Sequence, residues 1–478
     1  MEFETVIGLE VHVQLKTQTK AFCGCSTVFG GQPNTHTCPV CLGFPGALPV
    51  LNEKALTYAV KVALALQCSV QSYIKFDRKN YFYPDLPKNY QISQYDMPVG
   101  LDGCVECEGP DGAKKMIRVK RVHLEEDAGK LIHKPQASCS LVDYNRCGMP
   151  LLEIVSQPDI RSPQEAYDYL KELKLILQYL DVSDCDMEKG SLRCDANISL
   201  RPRGQQELGT KTELKNMNSL RWVKAALEFE QKRQAEILSE KKTISQETRL
   251  WDEERQATYS MRSKEEAHDY RYFPDPDLVP FTLDQQYVEK VRQSIPELPQ
   301  EKKVRFMKEF SLNTKEAEFV VQDKELCQLF EEWLKNRENR EPKKIYNWLG
   351  VVLECVSASN IAISSVLPRV PELNQLTNYV ENGALSNIAA KQVLHAMLGE
   401  NKNIDFVIQE KGLSQVSDES ELEHFVAVVL KEHQKTADDY LSGKENALMF
   451  LIGQTMKLSK GKANPKVVRE LLLRRLKK

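Results

Sequence analysis

Four cysteines are the first residues whose types and spacing could do chemistry. Cys23-Gly-Cys25 is followed by Cys38-Pro-Val-Cys41. Two close cysteine pairs on tight turns can give four thiolates to one tetrahedral zinc, and Pro39 and Gly43 suit such turns. A closed set of four ligands leaves no open coordination position, so the expected site is structural and not catalytic. Incidental thiols are the alternative. A further pair, Cys104 and Cys107 in GLDGCVECEGPDG, reads as a turn-rich excursion without a partner pair. Thirteen cysteines scattered through 478 residues favour metal ligands and buried thiols over disulfides in a reducing compartment.

A second set of groups lies on alternating stretches. In VIGLEVHVQL, Val6 to Leu15, the residues Leu9, Val11, Val13 and Leu15 share one face, and Glu10, His12 and Gln14 the other. An acid and a histidine two apart on a strand lie side by side, about 7 Å apart along the backbone. RVKRVHLEEDAGK repeats the pattern, with Arg121, His123 and Glu125 against Val122 and Leu124. In GSLRCDANISLRP, Arg193, Asp195, Asn197, Ser199 and Arg201 oppose Leu192, Cys194, Ala196, Ile198 and Leu200. TKTELK sets Glu213 and Lys215 against Thr212 and Leu214. One such strand is read equally well as the solvated face of an antiparallel sheet. Four suggest a curved sheet whose polar concave face is a shared chamber. Converging carboxylates with a histidine there suit Mg2+, which prefers oxygen ligands, better than Zn2+.

The elements around these strands are legible in outline. Apolar spacing predicts helices over 53–68, 163–180 and 219–240, with Ser162 as N-cap and Pro163 in the first turn of the second. FDRKNYFYPDLPKNYQISQYDMP reads as a proline-punctuated loop carrying Lys79, Tyr81, Tyr83, Lys88 and Tyr90, either a ligand wall or a packed surface loop. DYNRCGMPLLEIVSQPDIRSP reads as a loop into a short apolar strand, with Asn145, Arg146 and Glu153 as polar candidates. Arg262, Lys264, Asp269, Tyr270, Arg271 and Tyr272 could meet phosphates or an adenine ring, or form a solvated connector. After Pro280 the spacing is helical throughout. Between Leu430 and Lys478 there are 12 Lys and Arg against 5 Asp and Glu. A basic terminal module in a chain of net charge -3 points to a polyanion such as RNA backbone.

Composition and absent motifs narrow the classes. A chain 41% hydrophobic and 28% charged has the make-up of a soluble globular protein of several domains. No apolar run approaches a membrane span, and the acidic start MEFETVIGLE reads as neither signal nor transit peptide, so no membrane is involved and a cytoplasmic location is expected. There is no GxxxxGK[ST] loop, no GxGxxG turn and no GxSxG elbow. Any nucleotide chemistry must then use a metal and arginines on a sheet.

Taken together, VIGLEVHVQL, the Cys23–Cys41 quartet, CPVCLGFPGALPVLN, KNYFYPDLPKNYQISQYD, HLEEDAGK, GSLRCDANISLRP, ELKNMNSLRW, DYRYFPDPDL and the terminal SGKENALMFLIGQTMKLSKGKANPKVVRELL resemble the B subunit of bacterial aspartyl/glutamyl-tRNA amidotransferases. The likeness runs end to end in the same order and is least distinctive inside the helical bundle. It implies an α+β fold: a curved mixed-sheet cradle domain with flanking helices over 1–293, an all-α domain over 294–404 and a small all-α tail over 405–478. It further implies a ligase that phosphorylates the side-chain carboxylate of Glu-tRNA(Gln) or Asp-tRNA(Asn) with ATP and Mg2+. Ammonia from a separate amidase subunit (A) then displaces the phosphate, and a small C subunit completes a heterotrimer. On this resemblance Glu10, His12, Glu125 and Glu213 are expected to hold Mg2+, with Asp195 a further candidate. Lys79, Arg146, Arg193 and Lys215 are expected to neutralise phosphate charge, Lys88 and Tyr90 to form the polar mouth for ammonia, and Tyr81 and Tyr83 to face the terminal adenosine. A non-catalytic RNA-binding protein and a freestanding metal hydrolase built on Glu10 and His12 are the competing classes.

Overall fold

The computed structural model describes residues 2–109, 113–133, 139–263, 270–337, 341–413, 419–459 and 463–476. Two units are distinct, Met1–Pro299 and Gln300–Lys478.

Among the described residues of the first unit, nine strands form one sheet. Their spatial order is Ala257–Ser263, Glu247–Asp252, Thr212–Lys215, Leu192–Pro202, Phe3–Gln14, Pro150–Ser156, Lys114–Glu126, Gly100–Glu108 and Ser69–Val70. Neighbours are antiparallel except Thr212–Lys215 and Glu247–Asp252, which run parallel. A parallel pair needs a crossover, and the helix Leu220–Ser239 lies in that connection. The alternation expected along Val6–Leu15 is present: Leu9, Val11, Val13 and Leu15 are all 2% exposed or less, while Glu10, His12 and Gln14 are partly open.

The apolar face is closed by helices. Glu53–Ala65, Pro163–Tyr179 and Leu220–Ser239 start where Asn52, Ser162 and Ser219 accept hydrogen bonds from first-turn amides. Their buried residues, among them Val60, Leu170 and Leu227, share one core with Val11, Leu152 and Ile198 of the sheet. With one face sealed, a one-residue slip of any central strand would drive charges into this core, so the register is strongly specified.

Three stretches differ from the sequence expectation. GLDGCVECE is a strand, not a turn-rich excursion, interrupted at Asp102 by a positive φ of 54°, with Gly103, Val105 and Cys107 buried in alternation. Its glycines misled because they are packing residues: a Cβ on Gly103 would meet Leu66 O and Cys68 Sγ, each at 2.4 Å. The expected loop over 76–98 contains two paired strands, Asp77–Asn80 and Tyr90–Ser93, joined in a small sheet by Phe273–Pro274. Arg262, read as part of a phosphate-binding segment or a solvated connector, stands in the strand Ala257–Ser263, which pairs with Glu247–Asp252 at one edge of the large sheet.

The second unit is helical throughout its described residues. Lys324–Lys335 shows the amphipathic logic, burying Leu326, Leu329, Phe330 and Trp333 on one side. A separate cluster gathers Leu422, Val426, Leu451, Val468 and Leu472 near the C-terminal end. Among the described residues no single helix is long and apolar enough to cross a membrane.

Candidate active site

The strand register assembles the site. Arg193 lies opposite His12, His12 opposite Glu153, and Glu153 opposite His123. Directly paired residues have Cβ atoms about 5 Å apart, so four chemically active side chains form one row across four strands. One step along the strands, Asp195 lies opposite Glu10, and Glu125 follows His123 by two. His12 Nε2 is 3.4 Å from Glu153, 3.6 Å from Glu10 and 3.8 Å from Glu125. His123 Nε2 is 3.2 Å from Glu153 and 3.6 Å from Glu125. Ser93 Oγ, from the small sheet, donates to Glu125 at 3.0 Å.

Burial and charge oppose one another here. Burial disfavours protonated histidine, yet Glu153 and Glu125 outweigh it and push His123 up to about 9. His12 is likewise raised against burial, by Glu153 first and then Glu10 and Glu125. Burial also disfavours ionised Glu153, but the two histidines hold it well below the usual carboxylate range. Glu10 goes the other way, raised by burial and by repulsion from Glu153. Lys79 stays charged despite burial because Glu125 and Glu153 face it. The histidines and Lys79 thus hold Glu125 and Glu153 ionised, while Glu10 is the acid whose charge is disfavoured.

Two triads have ligand atoms close enough to hold a metal ion: His12 with Glu125 and Glu153, and Glu10 with His12 and Asp195. One imidazole nitrogen serves one ion, so the triads are alternatives for His12 and not two complete sites. The oxygen-rich donor set fits a hard divalent cation that keeps positions for water or substrate oxygens. Glu10, His12 and Glu125 are brought together as expected, with Asp195 beside them. Glu213 is not part of either triad. Its carboxylate accepts from Thr248 Oγ1 at 2.8 Å and lies 3.8 Å from Lys215. Glu213 still lines the same large cavity as Glu10, His12 and Glu125, and Glu153 is an acid of that cavity beside them.

These groups open into a cavity of about 1500 Å3. Lys79, Arg146, Arg193 and Lys215 all line it. Lys215 Nζ is 2.7 Å from Asp195, and Arg193 is 2.7 Å from Asp127. Arg146 donates to the Ala128 and Gly129 carbonyls at 3.0 and 2.6 Å. Tyr81, Tyr83, Tyr270 and Tyr272 also line the cavity, Tyr272 stacking on Tyr95 with ring centroids 4.5 Å apart. Lys264 and Asp269 lie outside the described residues.

Lys88 is elsewhere. It sits in a smaller cavity of about 280 Å3, between Tyr90, Glu126 and the turn Phe44–Pro49, and is ion-paired with Glu126. Adjacent residues of one strand point to opposite sides, and the acids divide accordingly: Glu125 lines the large cavity and Glu126 the small one. The four sulfurs of Cys23, Cys25, Cys38 and Cys41 lie within 4.8 Å of one another. Tetrahedral zinc with bonds of about 2.3 Å separates its sulfurs by roughly 3.8 Å, so this donor set fits the ion.

Three functional candidates, Glu153, His123 and Asp127, have weaker signals in the sequence. Glu153 interrupts the apolar run PLLEIV, where a lone acid in a strand covered on both faces is itself the signal. His123 shows in the alternation, but nothing in the pattern ranks it beside His12. Asp127 follows two acids that are more conspicuous, yet it bonds Arg193 and Gln14.

The fold and this geometry agree with comparisons to known proteins. The GatB/GatE catalytic domain profile matches residues 5–289, and the GatB domain profile matches residues 328–476. The B subunit of an aspartyl/glutamyl-tRNA(Asn/Gln) amidotransferase from Carboxydothermus hydrogenoformans is 52% identical, over 100% of this chain and 99% of the relative. B subunits of the same name from Thermoanaerobacter sp. and Moorella thermoacetica are each 51% identical over 100% of both chains. The chain therefore belongs to the family of B subunits of the aspartyl/glutamyl-tRNA(Asn/Gln) amidotransferases.

Proposed function

We propose that this chain uses ATP and Mg2+ to phosphorylate the side-chain carboxylate of tRNA-bound Glu or Asp, and that ammonia then replaces the phosphate. The products would be Gln-tRNA(Gln) and Asn-tRNA(Asn). The observation that carries the reading is the row Arg193–His12–Glu153–His123 with its flanking acids, set in a cavity large enough for a nucleotide and an aminoacyl end. A carboxylate is a poor electrophile, and its acyl phosphate supplies a good leaving group. In phosphoryl transfer the protein mainly positions reactants and neutralises charge.

The chemistry Mg2+ would supply when bound is neutralisation of phosphate charge. Either His12 with Glu125 and Glu153 or Glu10 with His12 and Asp195 would hold the ion, with Glu213 of the same cavity a further candidate ligand. Lys79 and Arg193 face the same space as cations, and Arg146 and Lys215 flank it. Tyr81, Tyr83, Tyr270 and Tyr272 offer aromatic faces for a nucleobase, which stacks without sequence preference. Ammonia would come from an amidase subunit through the smaller cavity, where Lys88 and Glu126 form a polar floor one residue from Glu125. A small third subunit would complete the heterotrimer in the cytoplasm. The basic terminal helices, from about residue 405, would grip tRNA phosphates, following a helical domain over 294–404. The quartet would carry structural zinc.

The test is ATP- and glutamine-dependent amidation of both misacylated tRNAs by the assembled subunits. Glu125→Gln should abolish it while tRNA still binds. Normal amidation in that variant would favour a non-catalytic RNA-binding role for this chain. Amidation by the isolated chain with glutamine would remove the need for an amidase partner.

A further inference from the structure

Lys20 is enclosed completely, at 0% exposure. Its ammonium donates to the carbonyls of His36 at 2.7 Å and Tyr144 at 3.3 Å, and lies 3.8 Å from Cys41 Sγ. Among the described residues it has no carboxylate partner. A buried ammonium is costly unless an opposite charge compensates it, and the sulfur of Cys41 is the acceptor in reach that can carry one. Four thiolates around a divalent ion hold a net charge of about -2. Lys20 therefore stands where such a centre needs a cation. The Cys38 amide also donates to Cys41 Sγ, at 3.2 Å.

The same lysine bridges two segments. The turn carrying Gln32, Asn34 and His36 is stitched to Asp143, Tyr144 and Asn145 by hydrogen bonds in both directions. Asn34 donates to Asp143 Oδ1 at 3.0 Å and accepts from the Tyr144 amide at 2.8 Å. Asn145 accepts from the His36 amide at 2.8 Å and donates to Gln32 O at 2.7 Å. The residue that follows, Arg146, reaches the wall of the large cavity.

We propose that Lys20 is the counter-charge of the four-thiolate centre and the internal tie through which that centre fixes the Tyr144–Gly148 loop, and with it Arg146. This rests on reading the quartet as a zinc site, and Lys20 acts as a positioning residue that touches no substrate. Outer-shell partners typically carry 10- to 100-fold in metal affinity.

The experiment starts with metal analysis of the purified full chain, which should hold one zinc. Zinc transfer to a chromogenic chelator is then compared in wild type, K20M, K20Q and K20R. The neutral variants should bind zinc about tenfold or more weakly, with K20R retaining most of the wild-type affinity. Hydrogen–deuterium exchange should rise over 142–148 when zinc is stripped from wild type. A wild-type chain without zinc overturns the metal reading and this proposal together. Zinc held equally tightly by the neutral variants overturns the role of Lys20 alone. Equal weakening in K20R and K20Q assigns the loss to packing and also overturns it. Should K20M fail to fold, K20Q decides the charge question. Unchanged exchange over 142–148 on stripping overturns the tie.

Discussion

Exchanging Glu153 for Gln separates the arrangement seen here from the ligand set expected from sequence. Glu153 keeps 5% of its side-chain surface exposed and faces His12 and His123 at 3.4 and 3.2 Å. Glu153→Gln preserves shape and removes one negative charge from a triad that includes Glu125. A unit charge and a divalent ion 4 Å apart at an effective dielectric of 20 interact by about 8 kcal/mol, and two unit charges by about 4 kcal/mol. Relief of the repulsion between Glu125 and Glu153 returns about half of the larger figure, leaving about 4 kcal/mol, or roughly a thousandfold in Mg2+ affinity. Glu213→Gln is the matched control, because that carboxylate is engaged by Thr248 outside both triads. The assay is the Mg2+ dependence of amidation by the assembled enzyme at saturating ATP and tRNA, with Mn2+ binding to the chain followed by electron paramagnetic resonance. Half-saturation should move strongly for Glu153→Gln and little for Glu213→Gln. The reverse order would refute the triad and restore Glu213 as the ligand.

Other outcomes follow from separate parts of the molecule. His123 has its folded pKa raised to about 9, so its stabilisation is complete below the ordinary histidine value near 6.5 and is lost as pH rises through about 9. At about 1.36 kcal/mol per pH unit this is at most about 3 kcal/mol; in metal-free protein the melting temperature of wild type should fall between pH 6.5 and 9.5 more than that of His123→Gln. Gly103→Ala forces a Cβ onto Leu66 O and Cys68 Sγ, a clash costing about 1–3 kcal/mol in urea unfolding; an unchanged midpoint would show that the strand and helix separate freely. Neutralising Lys457, Lys466 and Arg469, all exposed, should weaken tRNA binding and reduce the slope of log K against log salt by up to about 3. An unaltered slope would leave those helices as an ordinary solvated surface.

The sequence made the sheet legible where one face is polar and the other apolar. Glu10, His12, Glu125 and Asp195 could be placed on one surface because alternation fixes the side of each residue, although it cannot fix which strands are neighbours. That second fact decides which acids stand beside the two histidines. Glu213 and Glu153 are both acids on strands, yet only Glu153 sits on Pro150–Ser156, between the strands of His12 and His123. Pro150–Ser156 is buried on both faces and has no alternation to announce its role. Gly103 hid a strand for a related reason, since its missing side chain answers to a helix end brought close by the fold. Lys79 and Lys88 have different expected roles within one loop, and the segment between Asn80 and Tyr90 carries the two into separate cavities, Lys88 with Tyr90 in the smaller one.

The position of Phe3–Gln14 also bears on how the chain is made. This strand lies between Pro150–Ser156 and Leu192–Pro202, so neither neighbour exists until long after it has left the ribosome. At about 5–20 residues per second, translating from residue 14 to residue 202 takes on the order of 10–40 s. Until residue 156 is made, roughly 7–30 s of that interval, this strand with its one apolar face has both edges unsatisfied, which is the condition for pairing with another nascent chain. The strand that anchors the chemistry is therefore open to mispairing during synthesis. Substitutions that speed self-association of this segment should lower the yield of folded protein without altering the enzyme that survives.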